Sequence, residues 1–424
     1  MSDRRDSFPR QAARTRNFTL GLPRTFTVAP DGSRVVFLRS AGGEDPVTGL
    51  WVFDVEDRRE RLVADPKEIG AADADLPAEE RARRERAREH AEGVVGYSTD
   101  RDVTVATFVL GGALHVANLV RGEVRALRAA EPVFDPRVDP TGRRIGYVSG
   151  RALRVIGVDG EGDRALAGED APTVSWGMAE FVAAEEMERH RGFWWSPDGE
   201  RIAAARVDEF PVQVWHISDP TNPDAEPASV RYPVAGTANA EVSLHILGLD
   251  GSRTDVRWDR AGFEYLARVV WTEGAPLTIE VQSRDQRTLQ VQEVGDDGST
   301  SIVREDRDGA WVDLVPGSPK RLADGRLVRT ADSEDARRLF VGDAAVTLPT
   351  LQVRDILATN DDVLFTASEE PEAVHVWRWT PDGKVSRLTE EPGVHTAAAG
   401  GDVVVVASST LERAPEATVW KGSE

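Results

Sequence analysis

Cysteine is absent from this 424-residue chain. That excludes disulfides, thiolate nucleophiles, zinc–thiolate sites and iron–sulfur clusters. Lysine is scarce too. Only Lys67, Lys320, Lys384 and Lys421 occur, so arginine carries nearly all the positive charge. No run approaches the roughly 18 apolar residues of a membrane span. The polar start, Met1-Ser2-Asp3-Arg4-Arg5-Asp6, has no apolar signal core. The expectation from these features is a cytoplasmic protein with no membrane partner. Basic residues are outnumbered 52 to 73, for a net charge of −21. Nucleic acid would be repelled by that balance, whereas a cation such as a peptide's free N-terminus would be attracted.

Several catalytic signatures are missing as well. No Gly-x-Ser-x-Gly elbow occurs. Its nearest approach, Gly96-Tyr97-Ser98-Thr99-Asp100, lacks the second glycine and precedes a β-rich stretch. Dinucleotide and P-loop glycine patterns are absent, and nothing alternates in the βαβ manner. The sequence therefore offers no catalytic residue and implies no cofactor. Glu186 and His190 have the i,i+4 spacing of a metal pair. No second histidine joins them and HExxH is absent, so no metal site is expected.

What the chain does contain is a repeated hairpin. Val28-Ala29-Pro30-Asp31-Gly32 leads into Arg34-Val35-Val36-Phe37-Leu38. Val138-Asp139-Pro140-Thr141-Gly142 and Trp195-Ser196-Pro197-Asp198-Gly199 lead into similar apolar runs. Proline presets the turn and glycine supplies its positive φ. A second hairpin type follows, opened by Leu-x-Val strands at Leu50-Trp51-Val52, Leu114-His115-Val116, Leu153-Arg154-Val155 and Leu289-Gln290-Val291. Two hairpins make a four-stranded sheet. Recurrence at roughly 40–60 residues marks propeller blades. The expected fold is all-β: one eight-bladed β-propeller over residues 1–424, built of four-stranded antiparallel blades with short helical insertions. Trp194, Trp195, Trp258 and Trp271 are expected to pack between blades, and His115, His245 and His375 to be structural.

Three segments break the pattern. Residues 76–90, Leu76 to His90, read as a helix with acids at its start and Glu79–Arg83 and Glu80–Arg84 pairs. Residues 217–240 read as an ordered proline-rich loop. Residues 179–190, Ala179 to His190, read as a second short helix just before Phe193-Trp194-Trp195. Its Glu185-Glu186 pair is the sharpest candidate site, because two adjacent carboxylates can hold one ammonium through charge-assisted hydrogen bonds. The opposing reading is a solvated helix on which Glu186 simply pairs with Arg189 or His190.

A longer series of residues carries a family resemblance. It runs through Ala179-Glu180-Phe181-Val182-Ala183-Ala184-Glu185-Glu186-Met187, then Gly192-Phe193-Trp194-Trp195-Ser196-Pro197-Asp198-Gly199. It continues with Arg206-Val207-Asp208-Glu209-Phe210-Pro211-Val212 and Arg231-Tyr232-Pro233-Val234-Ala235-Gly236-Thr237-Ala238-Asn239. Gln282-Ser283-Arg284-Asp285-Gln286 and Glu391-Pro392-Gly393-Val394-His395 extend it, and residues 10–19 are similar to bacterial members. The series resembles the propeller of the dipeptidyl peptidase IV branch of the prolyl oligopeptidase family. That resemblance implies an eight-bladed propeller capping an α/β-hydrolase domain, in a serine peptidase that releases dipeptides from free N-termini. It implies that Glu185 and Glu186 grip the substrate's ammonium. The mammalian-type motif has three consecutive glutamates, whereas Ala184 stands first here, and the family's carbonyl-binding arginine has no identified counterpart. The resemblance also implies a hydrolase domain in the full-length protein, which can form a homodimer. This chain alone is then expected to be inactive. The alternative is a free-standing propeller that binds peptides or proteins without catalysis.

Overall fold

Eight successive antiparallel sheets account for almost all regular structure in the computed structural model, which describes residues 7–70 and 92–422. The fold is the expected all-β, eight-bladed propeller. Among the described residues seven sheets follow a four-stranded path in chain order, and the last comprises Val394–Gly400, Val403–Ser409 and Glu416–Lys421. The chain packs as two compact units. One comprises residues 1–145, 157–161 and 315–424, and the other residues 146–156 and 162–314. The helix expected over residues 76–90 lies outside the described residues. Among the described residues, no helix is long and apolar enough to cross a membrane.

The local chemistry of the repeats explains the strand order. In the first blade Gly32 takes φ +70° and its amide bonds Ala29 O at 2.8 Å. Asp31 accepts the Ser33 amide at 2.9 Å, which closes the turn between Arg24–Val28 and Arg34–Ser40. The Asp198 turn of the fourth blade does the same with the Glu200 amide. Hydrogen bonds from Ser33 and Ser196 hold the Asp31 and Asp198 carboxyls below their ordinary range.

The Leu-x-Val strands obey the two-residue period of a sheet. Leu50 and Val52 are fully buried in one apolar cluster with Val36 and Leu38. The intervening residue faces the other way and meets an aromatic ring on the neighbouring strand. Trp51 lies opposite Phe37, with rings stacked at 6.4 Å. His115 lies opposite Phe108, stacked at 5.4 Å. Such cross-strand pairs fix the register, since a one-residue slip would expose the aliphatic face.

Burial is the main reason that the pKa values of His115, His245 and His375 lie below the ordinary 6.5. All three therefore bind a proton less readily in the folded chain than in the unfolded one. Below about pH 6.5 the unfolded chain gains protons that the folded chain still refuses, so stability is lost as pH falls through that window. Urea unfolding should therefore show a clearly lower midpoint at about pH 5.5 than at about pH 7.5, with the fall beginning near pH 6.5. The depressed aspartates act in the same direction, but only below their ordinary value of 3.8.

Residues 217–240 form more than a loop. Val214–Ile217 and Ala228–Arg231 pair as a separate two-stranded sheet. All residues of Val214–Ile217 are exposed, so the inside–outside alternation that marks a strand in sequence is absent.

Candidate functional site

The fourth blade has an interrupted first strand. Val174–Trp176 and Phe193–Trp195 both pair with Arg201–Asp208, Trp176 opposite Arg206 and Phe193 opposite Ala204. Between them the chain leaves the sheet at Gly177 and returns at Gly192. Gly177 turns the chain with φ +78°. Gly192 permits the close return, because a Cβ there would lie 2.3 Å from Met178 O. No larger residue fits without moving backbone.

This excursion carries one short helix, Phe181–Glu186, rather than a helix over all of residues 179–190. Glu180 caps it by accepting the Ala183 amide at 2.7 Å. Ala183, Ala184 and Met187 turn inward and are buried. Glu185 and Glu186 lie on the outward side and are exposed, as is Glu188. The helix stops at Glu186, and Glu188 adopts φ +52°.

That kink decides where the next basic residue goes. Arg189 turns inward and is buried. Its Nη2 pairs with Glu180 Oε1 at 3.4 Å, its Nε donates to Leu266 O at 3.0 Å, and its Nη1 donates to Arg191 O at 3.0 Å. Burial lowers the Arg189 pKa, and Glu180 offsets part of that shift. On the other side Arg268 donates to Met187 O and to Ala267 O. The solvated i,i+3 pair considered for Glu186 and Arg189 is therefore not formed, because Arg189 is committed to Glu180. The sequence reading missed Glu180, Arg189 and Arg268 as the frame of this segment. Glu180 three residues before the Ala183 amide was a legible capping signal, whereas Arg268 comes from the next blade and has no local signature.

An aromatic row borders the helix. Phe181 meets Tyr232 edge to face at 4.9 Å, and Tyr232 meets Trp215 of the exposed hairpin at 6.4 Å. Arg231 holds this region by donating to Val212 O at 2.7 Å and Phe210 O at 3.2 Å. Asn239 reaches Glu264 at 3.1 Å, and Arg284 reaches the same carboxylate at 3.3 Å. The scattered sequence motifs thus brace one neighbourhood of the fourth and fifth blades.

A hydrogen-bonded Ser–His–Asp series also occurs in the fourth blade. Ser243 Oγ lies 2.8 Å from His245 Nε2, and His245 Nδ1 lies 2.6 Å from Asp255 Oδ1. Ser243 is a mid-strand residue registered against Arg206, not the tip of a strained turn. His245 packs on Trp176 at 4.9 Å, and Arg253 shares Asp255 at 3.2 Å. The arrangement ties the short strand Arg253–Asp255 to the blade, in keeping with a structural histidine. Ser98 lies within a two-residue strand. Among the described residues no cluster of three or more metal-ligating side chains is present.

Comparison with known proteins agrees with this layout. The sequence model of the dipeptidyl peptidase IV (DPP IV) N-terminal region matches residues 108–414. Human dipeptidyl peptidase 8 is 32% identical over 149 residues, which covers 30% of this chain and 17% of that protein. Dipeptidyl aminopeptidase B of Saccharomyces cerevisiae is 24% identical over 188 residues, covering 42% of this chain and 23% of the yeast protein. The crystal structure of Porphyromonas gingivalis dipeptidyl peptidase 4 superposes with a TM-score of 0.77 at 16% identity. That match covers 99% of this chain and 61% of the other, which establishes likeness of fold. The matches span less than a quarter of the length of these curated relatives.

Proposed function

This chain belongs to the family of dipeptidyl peptidase IV N-terminal regions, and on that premise we propose that it is the substrate-selecting propeller of a serine exopeptidase that releases dipeptides from peptide N-termini. In this reading Glu185 and Glu186 bind the N-terminal ammonium of the peptide. The supporting observation is the excursion from the interrupted strand. It presents two adjacent exposed carboxylates on a braced helix, while its own arginine is turned inward and paired with Glu180. A carboxylate pair set this way gives an ammonium two charge-assisted acceptors at a fixed point. It would act as a ruler, setting how far along the peptide a nucleophile in a following hydrolase domain reaches.

The test is kinetic, in the full-length enzyme. Glu185→Gln and Glu186→Gln should each lower kcat/KM for a free-amine glycyl-prolyl substrate by about 10- to 100-fold, the range of a charged hydrogen bond. Turnover of the N-acetylated substrate should be unchanged by either substitution, as should the melting temperature. Equal losses on both substrates would overturn the anchor. The purified 424-residue chain should not hydrolyse a glycyl-proline reporter, and hydrolysis by it would overturn the assignment of catalysis to another domain.

A second copy of the full-length protein is the expected partner beyond the substrate and hydrolase domain. Its support is the hairpin at 214–231, on which Trp215 and Ile217 remain 46% and 58% exposed. Apolar exposure on this scale marks a contact surface.

A further inference from the structure

We propose that Phe181 and Tyr232 form a subsite for a large apolar side chain on the first residue of the peptide, so that the propeller selects that residue as well as anchoring its amine. The inference rests on the reading of Glu185 and Glu186 as the ammonium anchor, and it names the substrate class that such an anchor would favour.

The first observation is where the short helix places its side chains. Successive residues of an α-helix step by about 100° around its axis. Phe181 and Glu185 are four residues apart, so they lie about 40° from each other and share a flank. Phe181 lies about 140° from Glu186 by the same count. Ala183, Ala184 and Met187 take the buried side. That leaves Phe181 half-buried at the margin, with Glu185 exposed beside it. Side chains at this spacing have their Cβ atoms roughly 5–6 Å apart. An ammonium held by Glu185 therefore brings the α-carbon of its own residue within a side-chain length of the Phe181 ring.

The second observation is the ring that meets Phe181. Tyr232 stands edge to face with it, centroids 4.9 Å apart and planes at 71°. An edge-to-face pair leaves flat ring surface for a further aromatic or aliphatic group. Tyr232 stays 45% exposed, yet its backbone is held in place. Its amide donates to Gln213 O at 3.1 Å, and the adjacent Arg231 donates to Val212 O at 2.7 Å. Trp215 backs the tyrosine ring at 6.4 Å with planes at 75°. An aromatic surface fixed in advance loses little freedom when a side chain packs on it.

The third observation is charge. Glu185, Glu186 and Glu188 are all exposed on this segment. An acidic first residue would be repelled by them, and a glycine would leave the rings in water. A phenylalanine or leucine would cover the rings while its ammonium meets the carboxylates. The occupant is therefore a peptide that begins with an aromatic or large aliphatic residue.

The test compares aminoacyl-prolyl reporters that begin with phenylalanine, glycine or aspartate, in the full-length protein. The order of kcat/KM should be phenylalanine, glycine, aspartate, with phenylalanine about 10-fold above glycine, the scale of one aromatic contact. Tyr232→Ala should bring the phenylalanine-to-glycine ratio below about 2, and Tyr232→Phe should restore it, because the ring and not the hydroxyl makes the contact. Equal wild-type rates on phenylalanine and glycine would overturn the subsite. So would an unchanged ratio in Tyr232→Ala: equal losses on both substrates would make the tyrosine a prop for the helix, and a change of oligomeric state would assign it to a contact between copies. Glu185→Gln separates the two readings. If it weakens every free-amine substrate while phenylalanine and glycine remain equal, the anchor stands and the subsite falls. If it weakens none while Tyr232→Ala still removes the preference for phenylalanine, the anchor falls and the ring contact stands.

Discussion

Arg189→Met is expected to lower the unfolding free energy by about 3–5 kcal/mol. The side chain is buried beneath the 181–186 helix and satisfies three acceptors: Glu180, Leu266 O and Arg191 O. Methionine fills much of the volume but donates to none of them. Buried Glu180 would lose its pairing with Arg189, and two carbonyls would lose a donor. The cost of an orphaned buried charge exceeds the net worth of the pair. A double variant, Glu180→Gln with Arg189→Met, should therefore be less destabilised than the sum of the single variants. Urea unfolding of all three checks this, and a loss under about 1 kcal/mol for Arg189→Met would mean that the pair does not brace the excursion. Under the proposed amine-anchor function, Arg189→Met in the full-length protein should also weaken free-amine substrates, through displacement of Glu185 and Glu186 rather than through contact with the peptide.

Gly192→Ala is expected to cost about 3 kcal/mol or more, unusually large for a single added methyl group. The new Cβ would meet the backbone N, C and O of Met178, all within 2.4 Å. Backbone cannot yield by a rotamer change, so one end of the excursion must move. The Gly192 carbonyl also accepts the Ala205 amide at 2.7 Å, and that bond would be strained. Thermal unfolding measures the effect. Gly274→Ala provides the comparison: nothing lies near its Cβ position, though its φ of +73° retains a modest backbone penalty. Equal losses at the two positions would show that the crowding at Met178 is relieved without cost.

The helix and its surroundings show why some features were legible and others were not. Glu185 and Glu186 were legible as a candidate site because adjacent carboxylates in a short insertion are a local pattern. The alternative pairing of Glu186 with Arg189 is not formed, because i,i+3 spacing assumes that the helix continues. It ends at Glu186 and Glu188 reverses the backbone, a choice made by the packing of Ala183, Ala184 and Met187. Residues 217–240 read as a loop in sequence because the exposed strands Val214–Ile217 and Ala228–Arg231 lack the alternation that marks a strand.

By itself the sequence determined the all-β class, the recurring pair of hairpins, the absence of a serine elbow and the location of the carboxylate pair. Each depends on residues near one another in the chain: turn prolines and glycines, a two-residue apolar period, an i,i+1 pair. Tertiary structure decided the rest. It turned Arg189 away from Glu185 and Glu186 and brought Arg268 from the next blade to Met187 O. Those outcomes depend on which surfaces meet across blades, and burial and backbone pairing over long sequence separations set them.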